Sequence, residues 1–341
     1  MTKLRCTATD DYFRRCYGER GRRLAISAAV ALASTVFSIS AMAQTQVRIL
    51  CGFPPGGSAD LFARLLADEL SKETGDSYIV DNRPGANGAL AAEALKFAPK
   101  DGKTLLVTPD TALVVYPHAV KQPRYDPVRD FQAVAMLGTY NLAFTVSANS
   151  PYRDLRSYVA AAKTDSSVAL YGSPGSGGLP HLYGFTVGKA LGVPWTHVPY
   201  KGAAPLMTDV LGGTTPSMIA PLVSVMEQAK AGKLRVLATS DSTRSPRAPN
   251  VPTFAELGYP QASHIGWFGL FAPAGTPAAI IDALNAKTTA ILRKPNVLAK
   301  LAAMDSDNRT MDAQSFSEFV RKDSERWRAV IKEIGFSMDT Q

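Results

Sequence analysis

Short apolar segments alternate with longer segments of helical periodicity along most of the chain. Apolar runs such as 47–53, 104–108 and 168–171 have the length of buried strands. The segments between them carry apolar residues three and four positions apart, which predicts amphipathic helices. Because strands joined by helices form parallel sheets through right-handed crossovers, the alternation predicts an α/β fold with mainly parallel sheets.

Two glycine-rich turns stand where a predicted strand leads into a predicted helix. Residues 56–60 (GGSAD) follow the first strand, and residues 173–178 (SPGSGG) precede a helix that we expect to begin near His181. Such a turn brings backbone N–H groups and a helix N-terminus to one point, which favours an anion. Two turns of this kind predict a cleft that holds a small carboxylate from both sides.

The first 43 residues have the pattern of a secretory signal peptide. A basic segment ends at Arg23, an apolar segment spans 24–40, and Ala41-Met42-Ala43 is an A-x-A cleavage site. We therefore expect export and cleavage after Ala43. No other run is long enough to cross a membrane.

Removal of this peptide changes the charge and the cysteine count. The net charge falls from +8 to +4 and no block of lysine and arginine remains, so nucleic-acid binding is not indicated. Cys51 remains as a single cysteine, which excludes an internal disulfide, and its position in the first strand predicts a buried side chain. About 300 residues are enough for two α/β lobes.

The motifs of common enzymes are missing from the two turns. Asp60 stands where the nucleophile elbow G-x-S-x-G requires glycine. Neither turn has the dinucleotide-binding pattern or the lysine of a P-loop, and the four histidines lack the spacing of metal ligands. We expect no enzymatic activity, no cofactor and no metal, and a hydrolase or an NAD enzyme is a poorly supported alternative.

Nine motifs follow one another across the chain beyond residue 43. They are GFPPGGSAD at 52–60, DNRPGANG at 81–88, DGKTLL at 101–106, YDPVRDF at 125–131, YGSPG at 171–175, HL at 181–182, HVPYKG at 197–202, VPTFAELG at 251–258, and WFGL at 267–270 followed by APAGTP. In this order they resemble the periplasmic solute-binding proteins of tripartite tricarboxylate transporters, also called the Bug family. The resemblance implies a two-lobed, type II-like Venus-flytrap protein with a mainly parallel sheet in each lobe and a cleft between them.

The resemblance also implies how the chain is divided and what it does. Residues 44–143 and 262–341 would form a discontinuous first lobe, and residues 144–261 the second. The protein would be a periplasmic monomer that captures a small organic carboxylate, such as a di- or tricarboxylate or an aromatic acid. It would dock transiently on membrane transporter subunits. A periplasmic ligand sensor that feeds a signalling receptor remains an alternative, because both roles need ligand-driven lobe closure.

We expect the ligand to contact both glycine-rich turns and the turn after the third strand. Backbone N–H groups and serine hydroxyls would hold the carboxylate, while the Asp60 side chain would orient water or a polar ligand group. The candidate ligand-binding residues are Phe53, Pro54, Gly56, Gly57, Ser58, Ala59, Asp60, Thr108, Thr111, Ser173, Gly175, Ser176, Gly177 and His181.

Several of these residues also have a purely structural interpretation. Ser58 would cap its helix, and Asp60 would pair with Arg64 at i+4. The second turn would be a loop with local serine hydrogen bonds, in which His181 caps the helix or lines the cleft. Arg83 is a candidate carboxylate clamp, although a structural ion pair is favoured, and Lys201 faces either the cleft or the surface.

Other positions bear on the ligand class and the cleft wall. Ala220-Pro221 stands where the family often has a polar or acidic pair, so a group that could hold an ammonium is missing and a simple or apolar carboxylate is favoured. Gly52 replaces a frequent proline, which predicts a slightly looser end of the first strand. The aromatic candidates for the cleft wall are Phe53, Tyr140, Trp195 and Trp267. For each of them, a position in the core is favoured over one in the wall.

Overall fold

The computed structural model describes residues 45–304 and 306–340. The predicted signal peptide and its cleavage site lie outside the described residues. A compact unit begins at Gln46 and contains all the elements below.

Two five-stranded sheets form the framework of the described part of the chain. The first sheet consists of β1 (Gln46–Cys51), β2 (Ser77–Asn82), β3 (Thr104–Pro109), β4 (Phe131–Tyr140) and β10 (Gly266–Pro273). The second sheet consists of β5 (Leu142–Ser147), β6 (Leu170–Ser173), β7 (Thr196–Pro199), β8 (Met218–Pro221) and β9 (Leu234–Thr239).

Each sheet has four strands in one direction and one strand in the other. The first has the order β2-β1-β3-β10-β4, in which β1 is parallel to β2 and β3, and β10 is antiparallel to β3 and β4. The second has the order β7-β6-β8-β5-β9, in which β6 is parallel to β7 and β8, and β5 is antiparallel to β8 and β9. The predicted α/β fold with mainly parallel sheets is confirmed.

Helices connect the strands and cover the sheets. They are α1 (Ser58–Thr74), α2 (Ala89–Lys96), α3 (Tyr116–Ala119), α4 (Leu155–Ala162), α5 (Leu179–Leu191), α6 (Ala203–Gly212), α7 (Leu222–Lys230), α8 (Ala278–Leu292), α9 (Pro295–Ala303) and α10 (Ala313–Ile334). A π-helical turn, Thr111–Val115, leads into α3, and 3-10 turns occupy Ala86–Gly88, Pro260–Ala262 and Met338–Thr340.

The chain crosses between the two sheets twice. Only Asn141 separates β4 from β5, and the chain returns between β9 and β10. The two crossing segments are hydrogen-bonded to each other: Leu142 N donates to Ser240 Oγ, and Ser240 N donates to the Leu142 carbonyl, both at 2.9 Å. The exact lobe limits, 143/144 and 261/262, remain a prediction.

The largest buried cluster extends through both halves of the molecule. It includes Leu113 beside the first sheet, Trp327 of α10, and Tyr171 and Tyr183 beside the second sheet. A second cluster packs the other face of the first sheet against α1, α8 and α9. Because α10 belongs to the larger cluster, the last long helix is part of the framework that positions the cleft.

Candidate ligand-binding site

A cavity of about 470 Å³ lies where the carboxyl ends of strands from both sheets meet. This volume is typical of small-molecule sites, and the strand ends are where α/β sheets usually place them. The lining residues are Phe53, Pro54, Gly57, Ser58, Ala59, Asn87, Pro109, Thr111, Tyr140, Gly178, Leu179, Pro180, Pro221, Val223, Phe268, Met304 and Ser306. Six of the fourteen predicted residues are among them: Phe53, Pro54, Gly57, Ser58, Ala59 and Thr111.

The first glycine-rich turn delivers the N-terminus of α1 to this cavity. Gly56 has a φ of 84°, which glycine adopts without strain, and Gly57 is the N-cap with an extended backbone. Ser58 is therefore the first helical residue, and its predicted capping role is wrong. The first helical hydrogen bond runs from Leu61 N to the Gly57 carbonyl. The N–H groups of Ser58, Ala59 and Asp60 precede it, have no intrahelical partner and are available to an anion, whereas Gly57 N donates to the Pro54 carbonyl at 3.3 Å.

The Asp60 side chain holds this turn together and does not line the cavity. It is 1% exposed and accepts hydrogen bonds from Gly56 N at 2.9 Å, Arg64 Nε at 2.8 Å and Asn82 Nδ2 at 2.8 Å. Burial raises the pKa of Asp60, but the hydrogen bonds from Arg64, Gly56 and Asn82 outweigh it, so the pKa lies below its ordinary value. The predicted ion pair of Asp60 with Arg64 is confirmed. The Asp60 side chain therefore has a structural role in the turn.

The turn after β3 is organised by a buried carboxyl group that the sequence did not single out. Asp110 accepts hydrogen bonds from Thr111 N, the Thr111 hydroxyl, Trp267 N and the Tyr140 hydroxyl. Burial, and next the charge of Asp323, raise the pKa of Asp110 to about 7 despite these bonds. Thr111 and Tyr140 line the cavity, whereas Thr108 is buried and donates to the Pro109 carbonyl.

The second glycine-rich turn reaches the cavity only at its last residue. Gly178 is the N-cap of α5, which begins at Leu179, two residues before the predicted start at His181. The cavity is lined by Gly178, Leu179 and Pro180. The predicted residues of this turn lie behind that edge and do not line the cavity; they are Ser173, Gly175, Ser176, Gly177 and His181.

Internal hydrogen bonds occupy the polar groups of Ser173, Gly177 and His181. The Ser173 hydroxyl is fully buried and bonds to His197 Nε2 at 2.7 Å and to the Gly175 carbonyl at 3.1 Å. Gly177 N donates to His181 Nδ1 at 3.1 Å, and the His181 ring stacks on His197 with centroids 3.8 Å apart. Burial lowers the pKa of His181 to about 4, and burial and His181 together lower that of His197 to about 3. Both rings are therefore neutral at pH 7.

A third helix N-terminus lines the cavity, and sequence reasoning missed it. Pro221 ends β8 and is the N-cap of α7, and Pro221 and Val223 both face the cavity. Leu222 N is used by the Asn141 carbonyl of the first crossing segment, at 2.9 Å. The signal was present, since a predicted strand ends here and a predicted helix follows.

The cavity wall is apolar and, within the described residues, holds no charged side chain. Its apolar members include Phe53, Phe268, Leu179, Val223 and Met304. Its polar side chains are those of Ser58, Asn87, Thr111, Tyr140 and Ser306. An anion would therefore be neutralised by backbone N–H groups and hydroxyls, not by a lysine or arginine.

The other candidates of the sequence lie elsewhere. Arg83 forms the favoured ion pair, with Asp81 at 3.0 Å, and Lys201 is exposed and does not line the cavity. Of the aromatic candidates, Trp267 is fully buried and donates to Asp323, and Trp195 is partly buried and packs against Phe144. Phe53 and Tyr140 line the cavity, although a core position was favoured for each of them.

The described residues contain neither a cluster of metal ligands nor a helix that could span a membrane. Within 45–304 and 306–340, no three histidine, cysteine, aspartate or glutamate side chains come together as a metal site. In the same part of the chain, no helix combines the length and apolar character that crossing a bilayer requires.

Comparison with known proteins agrees with this fold. The model of the tripartite tricarboxylate transporter family receptor, TctC, matches residues 62–336. A UPF0065 protein of Bordetella bronchiseptica is 34% identical over 327 residues, which cover 94% of this chain and 96% of the relative.

Solved structures share the architecture. R. palustris Rpa4515 with adipate has a TM-score of 0.73 and 30% identity, over 86% of this chain and 98% of that one. MatC (Rpa3494) from Rhodopseudomonas palustris with bound malate has a TM-score of 0.68 and 27% identity, over 84% and 98%. Other neighbours at 25% identity or more are periplasmic binding proteins, so the predicted two-lobed fold is confirmed. The chain belongs to the tripartite tricarboxylate transporter receptor family, TctC, which the order of its nine motifs predicted.

Proposed function

We propose that the protein binds a small organic carboxylate in the 470 Å³ cavity and delivers it to the membrane subunits of a tripartite transporter. The observation that carries this proposal is the meeting of three helix N-termini, those of α1, α5 and α7, on one cavity whose described lining residues include no charged side chain. Helix N-termini present free N–H groups and a partial positive charge, which suit a carboxylate.

The lining narrows the class of ligand. Among the described residues, the lining holds no acidic side chain that could bind an ammonium group, and Pro221 is one of the lining residues. The aromatic and aliphatic walls suit a linear aliphatic or an aromatic body between the anionic end and the polar groups of Asn87 and Ser306. Relatives bound to adipate and to malate support a carboxylate of this size.

The proposal includes the working cycle. Residues 44–143 with 262–341, and residues 144–261, act as two lobes that close about the hydrogen-bonded crossing segments at Leu142 and Ser240. The protein is exported with cleavage after Ala43 and acts in the periplasm as a monomer without a cofactor. The closed form then docks transiently on the transporter.

Thermal unfolding in the presence of candidate ligands tests the proposal. Purified protein is screened against adipate, malate, citrate, benzoate, nicotinate and glutamate, and each acid is compared with its amide. A ligand at about 100 times its Kd adds roughly 2.7 kcal/mol to the free energy of unfolding. We expect a raised midpoint with one apolar-bodied acid and none with its amide. If no acid raises the midpoint of protein freed of co-purified ligand, or if the amide is as effective, the proposal is wrong.

A further inference from the structure

The chain does not end with α10 but continues toward the cleft. Gly335, with a φ of 63°, closes the helix, and Phe336 N donates to the Ile331 carbonyl at 3.2 Å. This left-handed end turns the chain away from the helix axis. We term residues 336–339 the C-terminal strap. Their last two residues belong to the 3-10 turn Met338–Thr340.

The strap packs against the second glycine-rich turn. The Phe336 ring lies edge-on to the His181 ring, with centroids 5.0 Å apart and an interplanar angle of 80°. A Cβ atom at Gly177 would lie 2.8 Å from Met338 Cε and 3.2 Å from the Phe336 ring. Glycine at position 177 therefore leaves room for the strap. It also has a φ of 72°, which residues other than glycine rarely adopt. The turn it belongs to ends at Gly178, which lines the cavity.

The same few residues also contact the first half of the molecule. Asn87 Nδ2 lies 3.6 Å from Met338 Sδ, and Lys121 N donates to Asp339 Oδ2 at 2.6 Å. Asn87 is itself a cavity-lining residue. Met338 thus contacts Asn87 on one side of the cleft and the turn of Gly177 on the other.

We propose that Phe336 and Met338 are positioning residues of the ligand site, which tie Asn87 to the second glycine-rich turn and hold the cleft in its closed arrangement. The effect on ligand binding rests on the proposed function, whereas the contacts of Phe336 and Met338 do not depend on it. Separation of the two halves would break these bridging contacts. Their loss therefore shifts the population toward the open form and speeds ligand release. Methionine suits this role because its flexible, polarisable side chain maintains contact with both sides.

A second contact between the same halves supplies a matched control. Lys189 of α5 and Glu333 of α10 form an ion pair at 2.6 Å, but both side chains are exposed, at 64% and 47%. Exposed pairs contribute little because solvent and salt screen them. Glu333→Gln therefore removes the charge from a contact between the two halves without altering the strap.

The first measurement needs no ligand. Hydrogen exchange is compared between the unmodified protein, Met338→Ala, the conservative Met338→Leu and Glu333→Gln. We expect faster exchange in Met338→Ala at residues 86–88 and 173–178 together, with Met338→Leu and Glu333→Gln close to the unmodified protein. Unchanged exchange at either segment in Met338→Ala would overturn the proposal, whatever the ligand is.

The second measurement uses the acid that gives the largest thermal shift in the screen above. We expect Met338→Ala to lower its affinity about tenfold, mainly through a faster dissociation rate, with less than a twofold change in Glu333→Gln. An unchanged dissociation rate in a folded Met338→Ala variant would also overturn the proposal. If no acid binds the unmodified protein, the proposed function fails, and the exchange measurement still decides the role of the strap.

Discussion

The Tyr140 hydroxyl lies 3.2 and 3.3 Å from the two oxygens of the buried Asp110 carboxyl group, and this pair joins the ends of β4 and β3. The strand between them, β10, contributes a third contact through Trp267 N. The Tyr140 ring lies over Gly266, where a Cβ would be 2.2 Å from a ring atom. Three neighbouring strands thus fix Tyr140 and Thr111 on the cavity wall.

Removal of the Tyr140 hydroxyl tests this arrangement. Tyr140→Phe keeps the apolar ring but deprives Asp110 of one donor. We expect the free energy of unfolding to fall by about 1 kcal/mol and ligand affinity to fall with it. Urea unfolding monitored by tryptophan fluorescence measures the first effect. Equal unfolding curves for the variant and the unmodified protein would show that the pair does not stabilise the strand ends.

Gly52 allows two backbone segments to approach closely. A Cβ at this position would lie 2.4 Å from Gly88 Cα and 2.8 Å from its carbonyl oxygen. The loosening predicted from the absent proline is therefore wrong, since Gly52 packs tightly on Gly88. We expect Gly52→Ala to cost about 1–3 kcal/mol of stability, because backbone has to move. The displacement would also reach Asn87 and weaken ligand binding.

Gly212→Ala is the matched control for that substitution. Gly212 lies in the last turn of α6, where a Cβ would meet only the Thr214 hydroxyl, at 4.0 Å. Alanine there should be neutral or stabilising by up to about 1 kcal/mol, because it favours helix more than glycine does. Thermal midpoints that are equally lowered in both variants would contradict the close-approach explanation.

The stacked pair His181–His197 predicts a loss of stability at mildly acid pH. The pKa values of about 4 and 3 in the folded protein lie below the ordinary value of about 6.5. Between those values the unfolded chain takes up protons that the folded chain does not. The free energy of unfolding therefore falls as the pH drops from about 6.5 toward 3 and then levels off with respect to this pair.

A double variant isolates this contribution from other titrating groups. His181→Gln/His197→Gln keeps polar side chains without the titration. Urea unfolding at pH 4.5, 5.5, 6.5 and 7.5 should give a smaller loss of stability between pH 6.5 and 4.5 in the variant than in the unmodified protein. Parallel pH profiles would mean that these two rings do not resist protonation in the fold.

The two serine candidates of the glycine-rich turns should differ in their effect. Ser58 lines the cavity at the first helical position, whereas Ser176 does not line it. We expect Ser58→Ala to weaken carboxylate binding by about 0.5–1.5 kcal/mol, roughly two- to tenfold, and Ser176→Ala to leave it unchanged. Calorimetric titration of both variants measures these affinities. A larger loss of affinity in Ser176→Ala would show that the ligand contacts the second glycine-rich turn outside this cavity.

Residues next to a strand end could be placed from the sequence, and residues held by distant partners could not. The first turn was placed correctly because its strand, glycines and helix are consecutive. Asp60, in contrast, lies outside the cavity lining, and Asn82, 22 residues away, uses its second oxygen. Ser173 and His181 also lie outside the lining, and His197 from the neighbouring strand contacts both.

The remaining wall comes from separate parts of the chain. Met304 and Ser306 follow α9, more than 150 residues after β4, yet Ser306 Oγ donates to the Thr139 carbonyl at 2.9 Å. No local pattern marks such a residue as part of a site. The N-terminus of α7 differs from these residues, because the sequence predicted both the helix and the strand before it. Only the position of this N-terminus beside the first glycine-rich turn was not predicted.

The most direct test of the central claim places a negative charge among the three helix N-termini. Val223 is 43% exposed in the first turn of α7, so Val223→Asp is compatible with the helix, and Ser224→Asp adds the same charge one residue further on, outside the cavity lining. Calorimetric titration with the acid found in the screen should show a loss of at least about 100-fold in affinity for Val223→Asp, because like charges repel in the cavity. It should show little change for Ser224→Asp. Equal affinities for the two folded variants would contradict the claim that the carboxylate is held in this cavity.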